Sequence, residues 1–121
     1  MNLNLFFTPT DILLPAHADM RRWSVIACDQ FTADAGYWQA VQDTVCDAPS
    51  TLRLMLPEFY LGKCDEAAAT REIQQTMRRY LDDGVFRTVP HSLVLVQRTL
   101  PGGAVRCGVV GALDLEAYDY A

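Results

Sequence analysis

Two valine-rich runs, HSLVLVQRTL and AVRCGVVGALDLEAY, are separated only by Pro101, Gly102 and Gly103. This is the feature that most constrains the fold. A Pro-Gly-Gly turn between two β-branched segments of similar length specifies an antiparallel hairpin, because the turn reverses the chain and leaves each strand facing the other. Gly108 and Gly111 interrupt the second strand, where glycine marks a bulge or a close backbone approach. Ahead of the hairpin, residues 65–83 form a well-signalled helix. Asp65 and Glu66 stand at its positive end, Ala69, Ile73, Met77, Tyr80 and Leu81 make an apolar stripe, and Gly84 ends it. A long amphipathic helix followed by a hairpin defines the class as α+β.

The remaining elements follow from the same rules. Residues 2–15 read as extended chain, since Pro9 and Pro15 exclude a helix interior. Residues 23–28, WSVIAC, are apolar on both parities and predict a strand buried on two faces. A helix follows, capped by Thr32 or Asp34, with Tyr37 or Trp38, Val41 and Val45 on its inner side and Gln39, Gln42 and Asp43 outside. In DAPSTLRLMLPEFYLG, Pro49 and Ser50 signal a turn or helix start, while Leu52, Leu54 and Leu56 alternate as a strand does, and the alternation predicts a strand. The expected architecture is a small mixed sheet that includes the C-terminal hairpin, with two main helices packed on it, in a single domain spanning residues 1–121.

Charge and composition exclude several functions. Fifteen acidic against ten basic residues give a net charge of -5, which disfavours binding to nucleic acid phosphates. The adjacent pairs Arg21-Arg22 and Arg78-Arg79 sit among acids, leaving room only for small anions. No apolar run approaches the ~20 residues of a membrane helix, and the N-terminus lacks a basic leader, so a cytoplasmic location is expected. Cys28, Cys46, Cys64 and Cys107 are scattered without C-x-x-C spacing, so free, mostly buried thiols are expected and no metal site.

Catalytic patterns are sparse. His17 and His91 have no local partner at ligand spacing, no serine has the flanks of a nucleophile elbow, and Gly102-Gly103 is explained by its turn. Cys28 is the best placed of the thiols, ahead of a helix N-terminus, although a small buried cysteine accounts for it too. The strongest polar cluster is CDQFT. Asp29, Gln30 and Thr32 offer a carboxylate, an amide and a hydroxyl, with Tyr37 and Trp38 as an aromatic wall, in a pattern able to hold a small polar ligand. The same residues also make an Asp-initiated turn and a Thr cap with the aromatics in the core. Glu58, Arg98 and Arg106 are further polar candidates, and on an outward strand face the two arginines are also explained as solvated cross-strand neighbours.

The words WSVIACDQFTADAGYWQAVQ, DAPSTLRLMLPEFYL, TMRRYLDDGVF and VQRTLPGGAVRCGVVGALDLEAYDY, in this order, closely resemble the N-terminal part of a bacterial and archaeal family called domain of unknown function 1015. The resemblance runs from about Leu13 onward. It implies a longer parent protein whose later part carries an Asp-Gly-(Asn/His)-His word similar to ParB-like and sulfiredoxin-like nucleotide-using proteins, including free-serine kinases. It also implies a link to serine or phosphoserine metabolism. That word is absent here, since Asp83-Gly84 only ends a helix. The expected role is therefore part of an enzyme site for an amino acid or its phosphate ester, with Asp29, Gln30, Thr32, Tyr37, Trp38 and Arg98 toward the ligand and no cofactor held by this chain alone. The competing expectation is a non-catalytic module that self-associates through the hairpin and the Tyr118-containing tail. The acidic, aromatic ending DLEAYDYA reads as the middle of a protein, so the chain is expected to be an N-terminal fragment.

Overall fold

The computed structural model describes residues 7–116. Strands β1 (Phe7–Thr8) and β2 (Thr10–Pro15) are followed by helices α1 (Met20–Trp23) and α2 (Ala35–Val45). Two short 3-10 helices, Thr51–Leu54 and Glu58–Tyr60, lead to α3 (Glu66–Asp82). Strands β3 (Phe86–Ser92), β4 (Val94–Thr99), β5 (Val105–Val110) and β6 (Ala112–Leu113) complete the order. The α+β class and the hairpin stand as expected, and among the described residues the strands form three two-stranded sheets, β1 with β6, β2 with β3 and β4 with β5, not joined into one. The chain divides into two compact units, Pro15–Arg87 and the remainder.

Within Pro15–Arg87, each α-helix begins at an aspartate whose side chain accepts a backbone N–H: Asp19 from Arg21, Asp34 from Tyr37 and Asp65 from Ala68. Asp34, not Thr32, therefore caps α2. Helix α3 ends at Gly84 with φ +70, the left-handed turn that glycine tolerates. Its inner stripe is Ala69, Ile73, Thr76, Met77 and Tyr80, with Thr76 and Tyr80 the buried pair. Leu81, expected in the stripe, is 49% exposed. The core gathers Trp38 and Val45 of α2 around Leu52, with Val25, Val41, Met55, Phe59 and Tyr60 packed against it.

Two expected strands are absent. Residues 24–27 leave α1 as irregular chain with Ile26 and Ala27 exposed, so WSVIAC is not a strand buried on both faces; Trp23 alone is buried. The Leu52-Leu54-Leu56 alternation belongs to a 3-10 helix and its exit. Ser50 causes this, because its Oγ accepts the Leu52 N–H at 3.1 Å and winds the chain at the point where a strand would start. Ser50 is fully buried and fully bonded. Its Oγ also donates to the Trp23 carbonyl at 3.4 Å, and its N–H donates to the Tyr80 hydroxyl at 3.1 Å. Tyr80→Phe keeps the ring against Trp23 and Phe86 while leaving that buried N–H without an acceptor. A loss of about 1–3 kcal/mol in urea titration is expected; an unchanged midpoint contradicts this role for the hydroxyl.

In the other unit, β4 and β5 pair antiparallel from Val94 opposite Val110 to Thr99 opposite Val105. Gly103, with φ +84, and the bond from its N–H to the Leu100 carbonyl close the turn. Of the two glycines expected to mark a bulge or a close approach, Gly111 is a close approach, since a Cβ there would lie 2.7 Å from Leu93 Cδ2 and 2.8 Å from the Thr8 carbonyl. Gly108 has open space around it and serves no such purpose.

Candidate functional site

The CDQFT stretch forms a tight turn whose work is done by Phe31, a residue the sequence reading passed over. Phe31 takes φ +51, unusual for a bulky side chain. Its carbonyl accepts the Asp34 N–H at 3.1 Å and the Trp38 indole N–H at 3.0 Å, and its ring stacks on Tyr37 at 4.0 Å. The Gln30 N–H closes the turn onto the Ala27 carbonyl, and the Glu58 N–H ties the Cys28 carbonyl to the second 3-10 helix. Asp29, Gln30 and Thr32 sit together on the outside of this turn, exposed, with Gln30 Nε2 donating to Asp29 Oδ1 at 3.4 Å.

The two aromatics expected as a wall both engage Phe31 but differ in exposure. Trp38 is 0% exposed, a core residue with its one polar atom already bonded. Tyr37 is half-buried beneath Phe31 and lines a hollow of about 220 Å³ with Val25, Ile26 and Val41. Arg98 belongs to the other unit, on β4 directly opposite Arg106. Two like charges in register disfavour the pair unless an anion lies between them. The thiols also depart from expectation: Cys46, Cys64 and Cys107 are exposed and Cys28 is half-buried, because they fall at turns and on the open hairpin instead of in the core.

A larger polar cleft lies elsewhere in the Pro15–Arg87 unit. It measures about 520 Å³ and is lined by the segment after α2, Arg53, and the C-terminal half of α3. Two guanidinium groups line it. Arg53 donates from Nη1 to Gln42 Oε1 at 2.9 Å and from Nη2 to the Cys46 carbonyl at 2.8 Å, so its plane is set by two bonds. Arg79 donates from Nη2 to the hydroxyl of the buried Thr76 at 2.8 Å. Each keeps further N–H groups free of these bonds. Asp47, Glu72 and Asp83 line the same cleft, yet none stands within 4.0 Å of either arginine; the ion pair found among the described residues is Arg22 with Asp19. The rim holds strain, since Cys46 closes α2 at φ +49 with its carbonyl pinned by Arg53.

This arrangement presents two cationic donors and separate carboxylates in one concavity. Guanidinium donors suit an oxyanion and carboxylates suit a cation, so the cleft combines both chemistries. The sequence signals for it were thin: the Arg78-Arg79 pair among acids and the Pro49-Ser50 turn. Among the described residues no three His, Cys, Asp or Glu side chains converge as metal ligands, and no helix is long and apolar enough to cross a membrane.

The family model described as "Protein of unknown function (DUF1015)" matches residues 9–121. No curated protein and no solved structure matches the chain. The chain belongs to the DUF1015 family.

Proposed function

We propose that this DUF1015 chain supplies a small-ligand site to an enzyme-like protein of the cytoplasm that acts on an amino acid or its phosphate ester, with serine and phosphoserine the first members of the class to test. The observation that carries this reading is the pair of hydrogen-bonded guanidiniums, Arg53 and Arg79, in a cleft that also holds carboxylates without an ion pair among the described residues. A phosphate or carboxylate group binds guanidinium donors through charge-assisted bonds, and an ammonium group answers Asp47, Glu72 or Asp83. A volume of about 520 Å³ accommodates such a molecule. The exposed group Asp29, Gln30 and Thr32 enters the reading as a separate surface able to touch substrate from another part of the assembled enzyme, with Arg98 as a further anion anchor.

Calorimetry on the full chain with phosphoserine and serine tests this. Arg79→Gln is expected to weaken phosphoserine binding at least tenfold, about 1.4 kcal/mol, while Asp29→Ala leaves it unchanged. Absence of binding by the unmodified chain, or loss on Asp29→Ala with Arg79→Gln indifferent, overturns the assignment of the cleft.

A second reading, self-association, is favoured by one observation. Every residue of β5 is exposed, and Leu95 is 71% exposed on the strand beside it. Leu95, Val105 and Val109 share one face of the hairpin, while Val96 and Val110 share the other, by the alternation of side chains along paired strands. A two-stranded hairpin with both faces apolar is a poor stand-alone element and a good interface.

A further inference from the structure

Residues 24–28 have the chemistry of a strand and, among the described residues, no strand to pair with. The chain leaves α1 extended, with Ser24 at φ -81 and ψ 117, and runs Ser-Val-Ile-Ala-Cys to the turn. Its ends are anchored: the Trp23 carbonyl accepts from the Ser50 and Thr51 hydroxyls, and the Cys28 carbonyl accepts from the Glu58 N–H. Between those anchors, the N–H groups of Val25, Ile26 and Ala27 and the carbonyls of Val25 and Ile26 bond no other backbone group among the described residues. Ile26 is 42% exposed. A β-branched segment with open main-chain donors and acceptors is a docking edge whose natural occupant is another extended backbone.

The same chain carries the complementary element. The β4–β5 hairpin has no third strand among the described residues, and its apolar side chains lie open on both faces. Toward its turn, Arg98 stands opposite Arg106, and among the described residues neither has a carboxylate within 4.0 Å. Residues 24–28 end beside two exposed acids that are equally without an ion-pair partner there, Asp29 and Glu58. One element thus offers open backbone groups and an acidic end, the other open apolar faces and a cationic end.

We propose that the hairpin of a second copy adds to residues 24–28 as a strand, with its Arg98–Arg106 end against Asp29 and Glu58. The proposal rests on the self-association reading and gives it an interface. Each copy carries both elements, so each can donate a hairpin and accept one. Neutralising the Arg98–Arg106 repulsion is part of what holds it together.

Sedimentation equilibrium on the full chain tests this. The unmodified chain is expected to show a monomer–dimer equilibrium. Ile26→Pro, which removes one of the open N–H groups, weakens it at least tenfold, and so does the double reversal Arg98→Glu with Arg106→Glu. Adding Asp29→Arg and Glu58→Arg to that reversal restores dimerisation, a rescue that general misfolding does not produce. A dimer indifferent to Ile26→Pro and to the charge reversals refutes this interface and leaves self-association standing; a chain monomeric at every concentration refutes both.

Discussion

Trp38→Ala is expected to unfold or nearly unfold the Pro15–Arg87 unit. Trp38 is fully buried at the centre of the core, against Val45 and Leu52, with Tyr37 edge-on at 5.3 Å. Removing a buried indole costs about 3–5 kcal/mol through lost burial and the cavity left behind, a large share of the roughly 5–15 kcal/mol that stabilises a typical domain. The indole N–H adds a second function: it holds the Phe31 carbonyl, and through it the strained turn that presents Asp29 and Gln30. Trp38→Phe separates the two effects, because it keeps most of the packing and drops the bond. It should lose about 0.5–1.5 kcal/mol and loosen the turn, seen as faster amide exchange at Asp34, whose N–H shares the Phe31 carbonyl. A urea midpoint for Trp38→Ala near that of the parent chain contradicts this account of the core.

Gly111→Val carries the second large effect, in the other unit. A Cβ at Gly111 meets Leu93 Cδ2 at 2.7 Å, Phe7 Cζ at 2.8 Å and the Thr8 carbonyl at 2.8 Å. The side chains can shift, but the carbonyl belongs to the backbone of β1, where Thr8 pairs with Ala112. The substitution therefore forces β1 from β6 at a cost of about 1–3 kcal/mol, as overpacking does elsewhere, with the two extra methyl groups of valine toward the upper end. Gly108→Ala is the matched control, with nothing within 4 Å of its Cβ, and is expected to stay within about 0.5 kcal/mol. Equal losses from the two substitutions contradict the close approach at Gly111.

The contrast between these glycines shows what the sequence could convey. A strand glycine announces that something approaches, and which one it is depends on β1, which lies about a hundred residues earlier in the chain. Helix α3 and the hairpin were legible because their signals are local: Asp65 and Gly84 bracket one, and Pro101-Gly102-Gly103 turns the other. Residues 23–28 misled because their β propensity is real while the partner strand is missing from the described residues. Leucine alternation at 52–56 misled because one buried hydroxyl, that of Ser50, outweighs it. Thr76 replaced Leu81 in the inner stripe of α3 because its hydroxyl is satisfied by Arg79, which hydropathy does not register.

The site was less legible than the fold for a related reason. CDQFT lists ligand-binding chemistry in five consecutive residues, yet its conformation is set by the Phe31 carbonyl and the buried Trp38 indole that bonds it. The cleft between Arg53 and Arg79 has no motif at all. It is assembled from the end of α2, a 3-10 helix and the last turns of α3, and each arginine acquires its orientation from a partner elsewhere in the chain or one turn back. Only the folded chain puts two guanidiniums and three carboxylates around one volume.

The most direct test of that claim is a backbone NMR titration of the full chain with phosphoserine. The cleft account predicts saturable shifts centred on Asp47, Arg53, Arg79 and Tyr80, with Asp29, Gln30 and Thr32 unmoved. Shifts confined to the Asp29, Gln30 and Thr32 turn, or none at saturating ligand, contradict it.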